Sequence, residues 1–402
     1  MGLTREQLAA EAGTDPGRID ELVRIGVIRP ADDGAFSPPD IARARLVDAY
    51  ESAGLGLDLI RLALERRWIS FERIDDLYAD LGPKSGRTVA AFRQSLGPRG
   101  DLLAPLIAAL GLPSPGDDVH LRQLDELRLA MFIEAWDIGT DGDAVVRAGR
   151  LVGEAMRRMA DGWLELFAEQ VTRPLEEQTR TVDETSPIVL PRAATILRQT
   201  PELLTWLFQR HLEVGMDAQN IASMETGLDR EGLLPPRQAR AQAIAFVDLA
   251  GYTRLTETSG DELAARAAAK LAELAEATAR PFNGRLVKLL GDGAMVHFRD
   301  AAGAVSASLD LIDAIAAAGL PPGHGGVSAG PLVARDGDYF GHTVNLAARL
   351  SGAATEGNLF VTREVVDGAA DDAGGVRFEH VGELALKNVA EPIVVFRAER
   401  AG

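Results

Sequence analysis

Six consecutive residues, Ala243-Ile244-Ala245-Phe246-Val247-Asp248, are apolar until the last, which is a carboxylate. Such a run reads as a buried strand that delivers an acid to its own end. Leu249-Ala250-Gly251-Tyr252-Thr253 comes next and turns toward a helix. An acid at a strand end beside a helix N-terminus can hold a cation while free backbone N–H groups donate to phosphate oxygens. An Asp there is also a common helix cap, so the run by itself leaves both readings open.

The next hundred residues narrow the choice. A helix is expected from Asp261 to Ala279, and then Arg285-Leu286-Val287-Lys288-Leu289-Leu290 and Ala294-Met295-Val296-His297-Phe298 flank Gly291-Asp292-Gly293. This reads as a β-hairpin with an Asp-Gly turn. Lys288 interrupts an otherwise apolar strand, and a buried ammonium needs a partner. A helix from Ala301 to Ala317 and short strands at 326–330 and 332–334 come after it. In the segment from Gly337 to Leu350, Asn345 and Arg349 stand four apart and project from one helix face. An amide and a guanidinium among small residues suit an anionic ligand. A solvated surface helix is the plainer alternative.

The rest of the chain has a different texture. Thr4, with Gln7 three residues on, marks a helix start. Short helices are expected at 4–12, 17–25, 40–53 and 57–67, separated by Gly13, Gly26, the turn Asp32-Asp33-Gly34 and Gly54-Leu55-Gly56. Helical periodicity continues over 102–110, 119–135, 144–171 and 201–223. The Met and aromatic residues there, such as Met156, Trp163, Trp206 and Phe208, read as a helix-bundle core.

Composition excludes several classes. There is no Cys, so no disulfide framework, zinc ribbon or thiol nucleophile. Acids outnumber bases sixty to forty-two, the wrong balance for a general nucleic-acid or anionic-membrane binder. No basic patch followed by an apolar core opens the chain, and the apolar stretch 312–320 contains Asp313 and is too short to span a bilayer. A cytoplasmic protein with no membrane span is expected.

Three motifs in order, Phe246-Val247-Asp248-Leu249-Ala250-Gly251-Tyr252-Thr253, Lys288-Leu289-Leu290-Gly291-Asp292-Gly293 and Asp338-Tyr339-Phe340-Gly341 running into Val344-Asn345-Leu346-Ala347-Ala348-Arg349, resemble the class III nucleotide cyclase catalytic domain. Glu383-Leu384-Ala385-Leu386-Lys387-Asn388-Val389 resembles its closing segment, and the match spans about 238–398. The resemblance implies an α+β fold with a ferredoxin-like βαββαβ core. It implies that Asp248 and Asp292 hold two divalent ions, Mg²⁺ or Mn²⁺. It places Lys288 and Asp338 on the base, 249–253 at the phosphates, and Asn345 and Arg349 at the ribose and the transition state. The family forms its site between two catalytic domains, which implies a homodimer. Lys288 can only donate and ionised Asp338 can only accept, which matches the adenine edge and inverts the guanine edge. ATP is therefore the expected substrate and cyclic AMP the product.

The first 65 residues resemble the winged helix-turn-helix of the MerR family, through Thr4-Arg5-Glu6-Gln7-Leu8-Ala9, Ile25-Gly26-Val27-Ile28-Arg29-Pro30, Phe36-Ser37-Pro38-Pro39-Asp40-Ile41 and Leu55-Gly56-Leu57-Asp58-Leu59-Ile60. Where that family carries Arg-Tyr-Tyr, this chain has Asp20-Glu21-Leu22, and up to Asp75 it has ten arginines, no lysine and fourteen acids. DNA binding is not expected from such a surface. The expected domains are 1–80, a MerR-like helical module; 81–232, an all-α regulatory region with its linker helix; and 233–402, the catalytic domain. The order resembles mycobacterial adenylyl cyclases with a pH-sensing autoinhibitory region, which implies regulation by pH or a small ligand. The alternatives are a nucleotide-responsive MerR-like transcription regulator and a catalytically inactive nucleotide sensor.

Overall fold

A computed structural model describes residues 2–71, 84–138, 142–176, 178, 182–233, 241–252, 260–369, 375–387, 389 and 391–401. Thr253, Asn388 and most of the segment between Gly232 and Gln242 lie outside the described residues. The chain forms two compact units, Met1–Met216 and Asp217–Gly402.

The first unit is mainly helical, with a two-stranded pairing that departs from the all-α expectation. Helices α1 (Arg5–Ala12), α2 (Pro16–Arg24), α3 (Pro39–Ser52) and α4 (Leu57–Glu65) enclose a core built on Leu8, Ile19, Leu22, Ile28 and Val47. The Thr4–Gln7 capping box forms as its spacing predicts. A second core unites Phe92, Leu103, Leu106, Leu129, Ile133 and Val145. It is built from β1 (Lys84–Thr88), α5 (Val89–Ser95), α6 (Leu103–Ala109), β2 (His120–Arg122), α7 (Gln123–Trp136) and α8 (Asp143–Phe167). Here the expected helix over 119–135 is shortened, because 120–122 pairs as a strand with 84–88. The spacing of Leu121 and Leu124 suits a helix locally, but the backbone partner lies far away in sequence. Buried Glu126 explains the pairing's stability: it accepts from Ser85 and Arg87 of β1, so the buried charge is compensated.

Beyond α8 come the single turn α9 (Arg173–Glu176) and the 49-residue helix α10 (Val182–Arg230). The bundle-core expectation fails for much of α8 and α10, although Met159, Trp163 and Phe167 of α8 are half-buried. Met156, Leu164, Trp206, Phe208, Leu212, Val214 and Met224 are all exposed. Periodicity reports which side chains share a face, and among the described residues that face has no cover.

The second unit carries a seven-stranded sheet. Its strands are β3 (Ala243–Leu249), β4 (Arg285–Leu289), β5 (Gly293–Phe298), β6 (Gly323–Ala329), β9 (Leu359–Thr362), β10 (Val376–Leu384) and β11 (Ile393–Arg400). They lie in the order β10-β11-β9-β6-β3-β5-β4. With α11 (Asp261–Ala279) and α12 (Ala301–Ala317) the first four strands make a βαββαβ core. The order β6-β3-β5-β4, all antiparallel, is the ferredoxin-like arrangement. A separate hairpin, β7 (Val333–Arg335) with β8 (Asp338–Phe340), precedes α13 (His342–Ala353), and α14 (Arg363–Ala369) follows β9.

The central strand β3 sorts its side chains by alternation. Ala243, Ala245, Val247 and Leu249 join the core under α11 and α12. Ile244 and Phe246 face the other way, into a smaller cluster with Met295 and Ala347 of α13. Asp248 has the parity of Ile244 and Phe246, so the carboxylate emerges on the α13 side of the sheet. Among the described residues no helix is long and apolar enough to cross a membrane.

Candidate active site

Asp248 is placed by register. It pairs with Gly293 on one side and His324 on the other. Its neighbour Leu249 donates its N–H to the Asp292 carbonyl at 3.0 Å, which draws the Asp292 turn against the end of β3. The turn differs in detail from an Asp-Gly hairpin. Gly291 is the residue at positive φ (72°), and Gly293 is already the first residue of β5. Gly293 is required for space: a Cβ there would sit 1.9 Å from Asp248 Oδ1.

The two carboxylate oxygens of Asp248 have different surroundings. Oδ2 accepts from the Ser351 hydroxyl at 2.5 Å, while Oδ1 lies over Gly293. Burial pushes the Asp248 carboxyl above its ordinary value; the Ser351 hydrogen bond and nearby His324 oppose the rise, and Asp292 adds to it. Two adjacent acids, one of them desolvated, are costly without a cation. Among the described residues no group of three His, Cys, Asp or Glu could form an all-protein cage. Such a donor set fits Mg²⁺ or Mn²⁺, which take one or two carboxylates and complete their shell with water and substrate phosphates.

Lys288 has the partner its position demands: its ammonium pairs with Asp338 of β8. Asp338 is further held by accepting the Tyr339 N–H at 2.8 Å. The hairpin that carries it is clamped to the sheet. Tyr339 stacks on His297 with centroids 4.5 Å apart and planes within 6°. Arg285 lies 5.7 Å over the same tyrosine ring. His297 is further fixed by Gln242 at 2.8 Å, and burial, with Arg285 and Arg299 nearby, lowers its pKa to about 4.

Asn345 and Arg349 lie on the exposed face of α13, opposite buried Leu346, Ala347 and Leu350. Their side chains have no hydrogen-bonding or ionic partner among the described residues. Ala250, Gly251 and Tyr252 form the turn after β3, where the Tyr252 hydroxyl donates to the Ala264 carbonyl at 2.9 Å; Thr253 is outside the described residues. The chain thus brings together Asp248 with Asp292, and Lys288 with Asp338. No hydrogen bond or ion pair among the described residues joins one pair to the other, or either pair to Asn345 and Arg349. Gly293, Ser351, His297 and Tyr339 carry no local signal for these roles, and only the tertiary contacts disclose them.

No family model matches the chain. It is 30% identical over 292 residues to an adenylate cyclase of Streptomyces coelicolor, covering 70% of this chain and 71% of that one. It is 28% identical over 309 residues to a pH-sensitive adenylate cyclase of Mycobacterium tuberculosis, covering 75% of each. Among solved structures, an adenylate/guanylate cyclase/hydrolase from Silicibacter pomeroyi shares 30% identity, with a TM-score of 0.34, over 40% of this chain and 98% of that chain. The Streptomyces relative, together with the motifs on β3, the β4–β5 turn and α13, establishes that the chain belongs to the class III adenylate cyclases.

Proposed function

We propose that this enzyme converts ATP to cyclic AMP and pyrophosphate at two equivalent sites, each shared between two copies of the chain. The observation that carries the substrate assignment is the Lys288–Asp338 pair. Lys288 donates to adenine N1 and Asp338 accepts from the 6-amino group. Guanine would present a donor and an acceptor to the wrong partners, at ~1–3 kcal/mol for each mismatch. Asp248 and Asp292 would hold two Mg²⁺ or Mn²⁺ ions. When bound, these would lower the pKa of the ribose 3′-hydroxyl and neutralise the triphosphate. The N–H groups of Leu249 and Ala250 already donate to the Asp292 and Pro322 carbonyls, so within 249–253 the phosphate oxygens would take their hydrogen bonds later in the turn, from the Gly251 N–H onward. Asn345 orients the ribose, and Arg349 donates to the α-phosphoryl oxygens as charge gathers there. The 3′-oxygen bonds to the α-phosphorus, the bond to pyrophosphate breaks, and the 3′ proton passes to solvent.

Three observations support homodimerisation. Asn345 and Arg349 face away from their own chain's sheet. Among the described residues no hydrogen bond or ion pair joins them to the Asp248–Asp292 pair. Among the described residues Leu164 of α8 and Trp206, Phe208 and Val214 of α10 are uncovered, which suits a second copy. The proposed organisation is 1–80 as a MerR-like module, 81–232 as the regulatory region and 233–402 as the catalytic domain, in a cytoplasmic protein. DNA is not a partner in this reading: on and beside α2, Arg5 is ion-paired with Asp20 and Arg18 with Glu21, so neither arginine is available to phosphates. The likeness to a pH-sensitive relative supports regulation of catalysis by pH. The deciding assay measures cyclic AMP from ATP and Mn²⁺ across pH 5.5–8, for the full chain and for a chain starting near residue 235. Formation of cyclic AMP with divergent pH profiles is expected. Absence of product refutes the enzymatic reading, and identical profiles refute the regulatory one.

A further inference from the structure

Two serines are fully buried in helices of the catalytic unit, and they spend their hydroxyls differently. Ser308 donates to the Ala304 carbonyl one turn back at 2.6 Å, the usual recourse of a buried helical serine. Ser351, in the last turn of α13, donates to Asp248 Oδ2, 103 residues away. Its position is over-determined. The helix lies so close to β6 that a Cβ on Gly326 would meet the Ser351 nitrogen at 2.3 Å. His324 Nδ1 lies 3.0 Å from the Ser351 carbonyl. A carbonyl only accepts, so Nδ1 carries the proton and the ring faces that carbonyl as a donor.

We propose that Ser351 is a positioning residue for the metal-binding carboxylate: it occupies Asp248 Oδ2 and thereby presents Oδ1, over Gly293, as the ligating oxygen. This rests on the reading of Asp248 as a metal ligand. An aspartate on a fixed strand keeps two torsions, about Cα–Cβ and Cβ–Cγ, and a donor on one oxygen restricts both. Ligand orientation by such outer partners is worth about 10- to 100-fold in metal affinity. The arrangement has a second consequence. Ser351 serves its own chain's carboxylate, whereas Asn345 and Arg349 of the same helix are assigned to the partner's site.

The test uses full-length protein. In Ser351→Ala, Mn²⁺ binding, read by electron paramagnetic resonance in the presence of α,β-methylene-ATP, should weaken about tenfold. The Mn²⁺ concentration for half-maximal activity should rise in parallel, with the turnover at saturating Mn²⁺ and the melting temperature little changed. Ser351→Thr keeps the donor and should retain tighter Mn²⁺ binding than the alanine variant. Mixing Ser351→Ala with excess Arg349→Ala adds a sharper readout. The one competent site then takes its metal ligands from the chain with Ser351 intact, so its Mn²⁺ dependence should be that of wild type. A mixture with weakened Mn²⁺ dependence would mean that Ser351 acts through Arg349, and overturns the proposal. So does unchanged Mn²⁺ binding in Ser351→Ala. If Asp248→Ala itself binds Mn²⁺ like wild type, the metal reading fails first and this inference falls with it.

Discussion

Gly293→Ala isolates the geometry of Asp248, the carboxylate proposed to hold metal, from its chemistry. The substitution leaves Asp248, Asp292 and Ser351 in place and adds one methyl group. Gly293 does not adopt a positive φ, so alanine is compatible with the backbone and even restricts the unfolded chain. The added Cβ would lie 1.9 Å from Asp248 Oδ1, whereas real Cβ contacts are essentially never under 3.0 Å. The carboxylate must therefore retreat by about an ångström, and rotating it breaks the 2.5 Å bond from Ser351. Misplacement of a reacting constellation by ~1 Å can cost about 100-fold in rate. Local overpacking costs ~1–3 kcal/mol of stability, which a core of this size tolerates. The assay is cyclic AMP production at varied Mn²⁺, beside a thermal melt. The expected result is a folded protein with activity about 100-fold down and a raised Mn²⁺ requirement. Activity within about threefold of wild type, at unchanged Mn²⁺ half-saturation, would refute the idea that Oδ1 must occupy that place.

Further outcomes are expected. Lys288→Glu with Asp338→Cys inverts the donor and acceptor proposed to read the base and should lower kcat/KM for ATP by about 30-fold or more, from two mismatches at ~1 kcal/mol or above. Undiminished ATP use would place base reading elsewhere. His297 is held neutral, with a pKa of about 4 against an ordinary 6.5. The unfolded chain therefore takes up this proton first as pH falls. The corresponding stability is complete above about pH 6.5 and is lost between there and about pH 4. Urea denaturation of wild type and His297→Gln across that window should give curves that converge as the pH drops; parallel curves contradict the assignment.

How far the sequence discloses the molecule depends on the range of the interaction. β3, the β4–β5 turn and α13 are legible because apolar run length, turn glycines and four-residue spacing are local signals. Lys288 is anomalous in an apolar strand, and its ion pair with Asp338 resolves the anomaly. Ser351 is not legible as a determinant, because its significance lies in a bond across 103 residues. Gly293 looks like turn chemistry, although its lack of a Cβ serves Asp248 and not the turn. The strand at His120–Arg122 is hidden by helix-like spacing, since its partner at Lys84–Thr88 contributes no local periodicity. Met156 of α8 and Trp206 and Phe208 of α10 read as core in the sequence and are exposed in the fold. Burial within a chain and burial against another copy leave the same imprint on sequence.

The shared-site claim is tested most directly by complementation. Asp248→Ala and Arg349→Ala are each prepared full-length, shown to be folded dimers, and assayed alone and after mixing. Each alone should be nearly inactive. In an equal mixture that reassorts freely, half of the dimers are mixed and each mixed dimer has one site free of both lesions, so activity should recover to about one quarter of wild type. Demonstrated mixed dimers without recovered cyclic AMP synthesis would contradict the shared site, because Asp248 and Arg349 would then serve a site within a single chain.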